Sequence, residues 1–293
     1  MIHIENEHIK ISVKRHGAEL SSIIDKRTGE ELLWQGNPSY WKRQSPVLFP
    51  IVGSVWKNQY IYNGNTYQMS QHGFARDMDF TLIENNDNFI SFELRADEVT
   101  KKLYPADFVL EISYELKGKK VIVGWKVTNN GEEVMHFQIG AHPAFNYKNF
   151  DPNADVQAYF DLLPLDTNYR LSTITEGGCI GPDITKVIYK EHCIIPITKE
   201  TFNNDALILE DSQVMSVELK DAKKNPYLKL EFDAPVLGLW SPAKDSYAPF
   251  VCIEPWFGRC DRVGYEGEFK DRDWTMHLDK KNSFSTFYSI EVL

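Results

Sequence analysis

The feature that most constrains this chain is the period of its apolar residues, which is two along most of its length and nowhere sustains the helical 3.6. Ile9, Ile11 and Val13 alternate with polar neighbours, and Ala18 to Ile24 gives a second extended run after Gly17. Side chains of a strand point alternately to its two faces, so this pattern describes half-buried strands. Turn signals separate the runs. Asn63-Gly64, between Tyr60-Ile61-Tyr62 and Thr66-Tyr67-Gln68, is the dipeptide that best supplies the positive φ of a type I′ hairpin. Phe80 to Ile83 and Phe89 to Leu94 flank an Asn-Asn-Asp-Asn turn, and Phe108 to Leu116 pairs with Val121 to Thr128 across Lys117-Gly118-Lys119. Further strands are predicted at Ala206 to Leu209, Val214 to Leu219, Tyr227 to Phe232, Leu237 to Trp240, Phe250 to Glu254 and Phe284 to Val292. The helical content is small: a short helix over Ala96 to Leu103 closed by Pro105, and a turn after Asn37-Pro38 that Pro46 stops. Asp151 to Asp183, with several prolines and glycines, reads as long loops interrupted by short strands, the kind that carry substrate contacts. Sheets with one apolar face and no long helices to cover it must cover each other. No repeat or low-complexity linker divides the 293 residues, so the expectation is one all-β domain, 1–293, built as a large antiparallel β-sandwich.

Composition narrows the function. Hydrophobic residues at 42% and charged residues at 25% are ordinary for a globular core and exclude disorder. A net charge of −10 has the wrong sign for gripping phosphate backbones, so nucleic acid is not an expected partner. Met1 to Glu7 carries acidic residues where a secretory signal needs basic ones, and no run approaches the roughly 18 apolar residues of a membrane span. A soluble, cytoplasmic protein with no membrane partner is expected. Cys179, Cys193, Cys252 and Cys260 lack CxxC spacing and any secretory context, and are read as reduced structural thiols.

Three stretches concentrate residues that can move protons. In Ile139-Gly140-Ala141-His142-Pro143-Ala144-Phe145-Asn146, Pro143 pushes His142 towards an extended backbone and gives its imidazole a stiff mount. In Ser70-Gln71-His72-Gly73-Phe74-Ala75-Arg76, a second histidine precedes a conformationally free glycine. Glu254 follows the apolar run Phe250 to Ile253 and precedes Pro255-Trp256-Phe257, whose enclosure would raise its pKa towards that of a base working near neutrality. Pairing with Arg259 or Arg262 is the structural alternative for Glu254, and core packing is the alternative for Trp240, Trp256 and Phe257. His3, His8, His16, His192 and His277 stand in no such context and are read as structural.

Taken together, Leu48-Phe49-Pro50-Ile51-Val52-Gly53, Gln71 to Arg76, Gly140 to Asn146, Asp205-Ala206-Leu207 and Ile253 to Gly258 resemble the aldose 1-epimerase (galactose mutarotase) family, most closely its LacX-like bacterial branch. The likeness runs in order along nearly the whole chain. It implies a β-supersandwich of the galactose mutarotase-like kind and a small aldose as partner. The implied activity is interconversion of α and β anomers without cofactor or metal. By motif, Glu254 would be the base at the anomeric hydroxyl and His142 the acid at the ring oxygen. His72 and Asp205 would hold the sugar, with Arg76, Gln71, Trp240 and Lys57 as further contacts. One departure stands out: the family commonly has an arginine shortly after the glycine of Phe-Pro-x-x-Gly, whereas Ser54 follows Gly53 here and the nearest cation is Lys57. Lysine does not reproduce arginine's forked contact, so the choice of sugar is open.

Two other classes stay in view: a carbohydrate-binding or sensing protein that keeps the pocket without catalysis, and a metal-dependent isomerase with His72, His142 and Glu254 as ligands. The sequence leaves open which aldose is bound, whether it is phosphorylated, and whether two chains form a homodimer.

Overall fold

The computed structural model describes residues 1–164, 168–188, 194–242 and 247–293, so His192 and Cys193 lie outside the described residues. Two large sheets dominate. One has nine strands, in the spatial order Ile194–Ile197, Ala158–Leu163, Ser216–Asp221, Pro226–Phe232, Ser283–Val292, Lys120–Asn129, Phe108–Lys117, Phe89–Arg95, Thr81–Asn85. The other has eight: Ile180–Ile188, Asn168–Ile174, Leu207–Leu209, Val236–Trp240, Phe250–Phe257, Ile139–Ala141 and Val47–Leu48, with Ala144–Asn146 also paired to Phe250–Phe257. The neighbours within each are antiparallel, as in the ladder from Phe108↔Asn129 to Lys117↔Lys120. The fold is all-β, as the alternating pattern requires.

Parity along the strands decides what each face buries. Val251 and Ile253 of Phe250–Phe257, with Leu237 and Leu239 of the neighbouring strand, enter a core shared with Phe160, Leu162, Val217, Leu219, Leu230 and Ile290 of the nine-stranded sheet. The intervening residues face the other way: Phe250 and Cys252 join Trp34 and Ala144, while Val236 and Trp256 join Leu48, Val52 and Ile208. Glu254 has the same parity as Cys252 and Trp256. It is therefore carried on the face of the eight-stranded sheet turned away from the sandwich interior.

The Asn63-Gly64 hairpin forms as expected, joining Gln59–Tyr62 to Asn65–Gln68, with φ of 49° and 76° at its two turn residues. Three expectations need correction. The segment 151–183 is not mainly loop, because Ala158–Leu163, Asn168–Ile174 and the start of Ile180–Ile188 are strands; Pro164, Gly177 and Gly178 fall between them, while Gly181 and Pro182 lie within the last. The helix expected over Ala96 to Leu103 covers only Thr100–Leu103, since the Asp97 carboxylate accepts the Val99 and Thr100 N–H groups and holds the preceding residues in a cap. Ile194–Ile197, absent from the sequence reading, contains Pro196 and forms an edge of the nine-stranded sheet, where a missing N–H is tolerated.

Candidate active site

The centre of the site is a register effect. Ile139–Ala141 pairs with Phe250–Phe257 through Gly140↔Trp256, and Ala144–Asn146 pairs with the same strand through Ala144↔Cys252. Each pair sums to 396, so the residue between them, His142, stands opposite Glu254. The ladder opens here because Pro143 and Pro255 both lack an N–H. Directly opposed residues on one face bring their side chains together. His142 Nε2 lies 3.3 Å from Glu254 Oε2, with His142 only 7% exposed and Glu254 1%.

His72 comes from a different element. It has φ of 66°, and Gly73 follows at 70°; a Cβ on Gly73 would lie 2.2 Å from the Phe49 carbonyl oxygen, so only glycine fits. The His72 N–H donates to the Gly53 carbonyl at 2.8 Å, and the Gly53 N–H donates to His72 Nδ1 at 3.1 Å. An Nδ1 that accepts a backbone proton fixes the tautomer, so His72 is neutral and carries its proton on Nε2. Its ring meets that of His142 edge-on at 5.4 Å. Arg76, on the turn that follows, donates to the Gln71 carbonyl at 2.5 Å, while its buried Nε has no hydrogen-bond partner among the described residues.

These side chains border a cavity of about 330 Å³, at the small end of the roughly 300–1,000 Å³ range of small-molecule sites. Of the residues expected from sequence, Glu254, His142, His72, Asp205, Arg76, Gln71 and Trp240 all line it. Asp205 sits exposed at the rim with φ of 70°, its carboxylate accepting the Ala206 N–H at 2.8 Å. Lys57 is the exception. It is exposed, 3.4 Å from Glu266, and does not border the cavity.

Burial sets the electrostatics. It pushes the Glu254 carboxyl well above the usual carboxylate range, with the nearby Asp205 charge adding to the effect. It pushes His142 down to about 3, helped by the Arg76 guanidinium, and holds His72 well below the ordinary histidine value, with His142 and Arg76 contributing. Arg76 itself is lowered to about 10 by burial and by neighbouring Arg43. Raising the carboxyl and lowering the imidazole both draw a proton shared by the pair towards Glu254. A pair with one proton is one acid and one base, whichever partner carries it. Among the described residues, donor atoms of His142, Cys252 and Glu254 also lie within 4.8 Å of one another, close enough to hold a metal ion; His72 is not in that group.

The walls are aromatic, and they add Trp41 to the residues expected from sequence. Trp41 stacks on His142 at 4.7 Å and 26°, held because its carbonyl accepts the Trp34 indole N–H at 2.8 Å. Trp240 meets His142 edge-on at 5.5 Å. Trp256 forms the floor, its Nε1 donating to the Ala141 carbonyl at 3.1 Å. The indole lies over two glycines, since a Cβ on either Gly140 or Gly238 would come within 2.6 Å of it. The signal for Trp41 was its place beside Asn37-Pro38 in an aromatic-rich turn; for the floor it was a glycine in each strand flanking Trp256.

Comparison with known proteins bears on the family and the fold. The sequence model of the family described as aldose 1-epimerase matches residues 1–272. The chromosomal Protein LacX of Lactococcus lactis subsp. lactis is 32% identical over 299 residues, covering 100% of this chain and 99% of that protein. A Salmonella typhimurium protein provisionally named glucose-6-phosphate 1-epimerase is 30% identical, over 87% of this chain and 82% of its own length. Among solved structures, a galactose mutarotase related enzyme from Lactobacillus acidophilus superposes with a TM-score of 0.92 at 33% identity, covering 100% of this chain and 97% of that one. The chain belongs to the aldose 1-epimerase family.

Proposed function

We propose that the cavity binds one aldose as its pyranose ring and interconverts the α and β anomers by acid–base ring opening. The observation that carries this reading is the buried His142–Glu254 pair, 3.3 Å apart and open to a polar cavity the size of a sugar. A bound hemiacetal places hydroxyl groups against both partners and replaces the solvation that burial removed, which favours Glu254 as carboxylate and His142 as imidazolium. Glu254 then takes the proton from the anomeric hydroxyl, and that oxygen's electrons form the carbonyl. The bond from the anomeric carbon to the ring oxygen breaks, and the ring oxygen receives the His142 proton. Rotation of the aldehyde and closure on its other face run the transfers backwards, so no proton is consumed. His72, locked with its proton on Nε2, donates a hydrogen bond and does not supply a proton. Asp205 accepts from sugar hydroxyls at the rim, and the Trp256 face offers an apolar floor to ring C–H groups.

Polarimetry of freshly dissolved α-D-glucose and α-D-galactose, with chelator present, tests this. Wild type should accelerate the change, and Glu254→Gln should lose about 10²–10⁴-fold, the usual contribution of positioned acid–base catalysis. Sugar affinity without acceleration in the wild type would leave a carbohydrate-binding protein instead.

A second, finer reading concerns the substrate. Arg76 Nε is buried with no hydrogen-bond partner among the described residues and lies 3.9 Å from exposed Asp77, which also pairs with Arg43 at 2.9 Å; two guanidinium groups share that one carboxylate, so one end of the cavity favours an anionic substituent such as a sugar phosphate. The provisional name of the Salmonella relative points the same way. Comparing glucose with glucose 6-phosphate in wild type and Arg76→Met decides it: the variant should lose the phosphate preference and keep the neutral sugar.

A further inference from the structure

Acid–base ring opening uses His142 and Glu254 and leaves a third donor beside them idle. Cys252 has the same parity as Glu254, two residues before it on one strand, and is fully buried. Its thiol lies close enough to the Glu254 carboxylate to interact with it, and the donor atoms of all three residues fall within 4.8 Å of one another. The 3.3 Å between His142 Nε2 and Glu254 Oε2 is already near the ligand–ligand spacing of a tetrahedral ion with bonds of about 2.0–2.2 Å. Glu254 Oε2 has no hydrogen-bond partner among the described residues, so its lone pairs are free to bind. His72 cannot join, because Gly53 occupies its Nδ1 and its Nε2 carries the proton.

One imidazole, one thiolate and one carboxylate form a zinc-type donor set that leaves a fourth position open, and the sulfur ligand discriminates against the all-oxygen preferences of Mg²⁺ and Ca²⁺. His142 and Glu254 border the cavity, which gives an ion its way in. We propose that this centre takes a borderline or soft divalent cation, of the Zn²⁺ or Cd²⁺ class, on His142, Cys252 and Glu254, in competition with the sugar. Coordination releases both the Cys252 proton and the proton held by the His142–Glu254 pair to solvent, and occupies the two groups that ring opening needs, so the bound ion is a reversible inhibitor. The binding stands on the donor geometry alone; its competition with the sugar and its inhibitory consequence rest on the function proposed above.

The test uses Co²⁺ as a spectroscopic probe of the metal-free protein, with Zn²⁺ inhibition read separately by polarimetry. One Co²⁺ per chain should bind with a thiolate-to-cobalt charge-transfer band that saturating aldose removes. Zn²⁺ should raise KM without lowering kcat, and chelator should reverse it. Cys252→Ala should abolish the band and weaken Zn²⁺ inhibition by about tenfold or more, as expected when one of three ligands is lost. Cys252→Ser repeats the test at near-constant volume, with thermal unfolding as the control for folding. No binding, a band that survives Cys252→Ala, a band indifferent to aldose, or stimulation by Zn²⁺ would each overturn the proposal. So would binding lost in His277→Ala, which would place the ion on the His136–His277 pair, whose Nδ1 atoms are 2.8 Å apart. The band does not depend on turnover, so an inactive protein with the band refutes the epimerase reading and not this one.

Discussion

Replacing Glu254 by Gln should stabilise the fold while removing the proposed base. Glu254 is 1% exposed, and burial raises its pKa well above the ordinary 4.5. Between 4.5 and that raised value the folded chain keeps a proton that the unfolded chain has lost, so the folded state binds more protons and stability falls as pH rises. Each pH unit in that window costs about 1.4 kcal/mol, until the folded pKa is reached and the cost levels off. Glutamine has nearly the same shape and does not titrate. Glu254→Gln should therefore gain on wild type by about 1.4 kcal/mol per pH unit above 4.5, which is roughly 3–5 °C in Tm per unit for a chain somewhat above 250 residues. The assay is thermal unfolding of both proteins at half-unit steps from pH 5 to pH 9 in one buffer series. Subtracting the two proteins at each pH cancels the titrations they share, so the difference isolates Glu254. A variant less stable than wild type at pH 8, or a difference that does not change with pH, would refute the buried-carboxylate reasoning.

Other consequences are equally concrete. His72 and His142, held neutral by burial, refuse protons that the unfolded chain takes up near pH 6.5; wild-type stability should fall as pH drops below that, by up to about 1.4 kcal/mol per unit for each histidine. Denaturant titrations from pH 7 to 4.5 measure it, and a flat profile would contradict it. Lys57→Ala, outside the cavity wall, should change stability by less than about 0.5 kcal/mol and leave KM for the aldose unchanged; a large rise in KM would put Lys57 in the site. Gly238→Ala should push the Trp256 indole up into the cavity, destabilise by about 1–3 kcal/mol and raise KM more than it lowers kcat. Arg259→Met leaves Glu210 and Asp273 without their buried partner and should cost about 3 kcal/mol in a melting experiment, with wild-type stability the contrary result.

Most of the fold was legible because the apolar period was unambiguous: Phe108–Lys117 against Lys120–Asn129 follows from alternation and one glycine turn. What failed turned on local signals whose meaning depends on tertiary position. Pro196 looks like a strand breaker until its strand is known to be an edge, and edge position is a tertiary fact. The same limit hid the geometry of the site. His142-Pro143 and Glu254-Pro255 were each visible as stiff mounts, but their meeting depends on both prolines falling in one gap of one ladder. The aromatic-rich turn after Asn37-Pro38 was visible, but the stacking of Trp41 on His142 links residues 101 positions apart with no shared motif. Lys57 was drawn in by sequence proximity to Gly53, yet Lys57 has φ of 55° and its side chain turns outward to Glu266.

The measurement that bears most directly on the proposed activity is anomer exchange at equilibrium, followed by two-dimensional NMR exchange spectroscopy in metal-free buffer. Glucose, galactose and glucose 6-phosphate would each be run with wild type and with Glu254→Gln. The prediction is exchange well above the buffer rate for at least one of these aldoses with wild type, falling back towards the buffer rate in the variant. Wild type at the buffer rate for all three sugars, or Glu254→Gln as fast as wild type, would contradict the assignment of this site to acid–base ring opening.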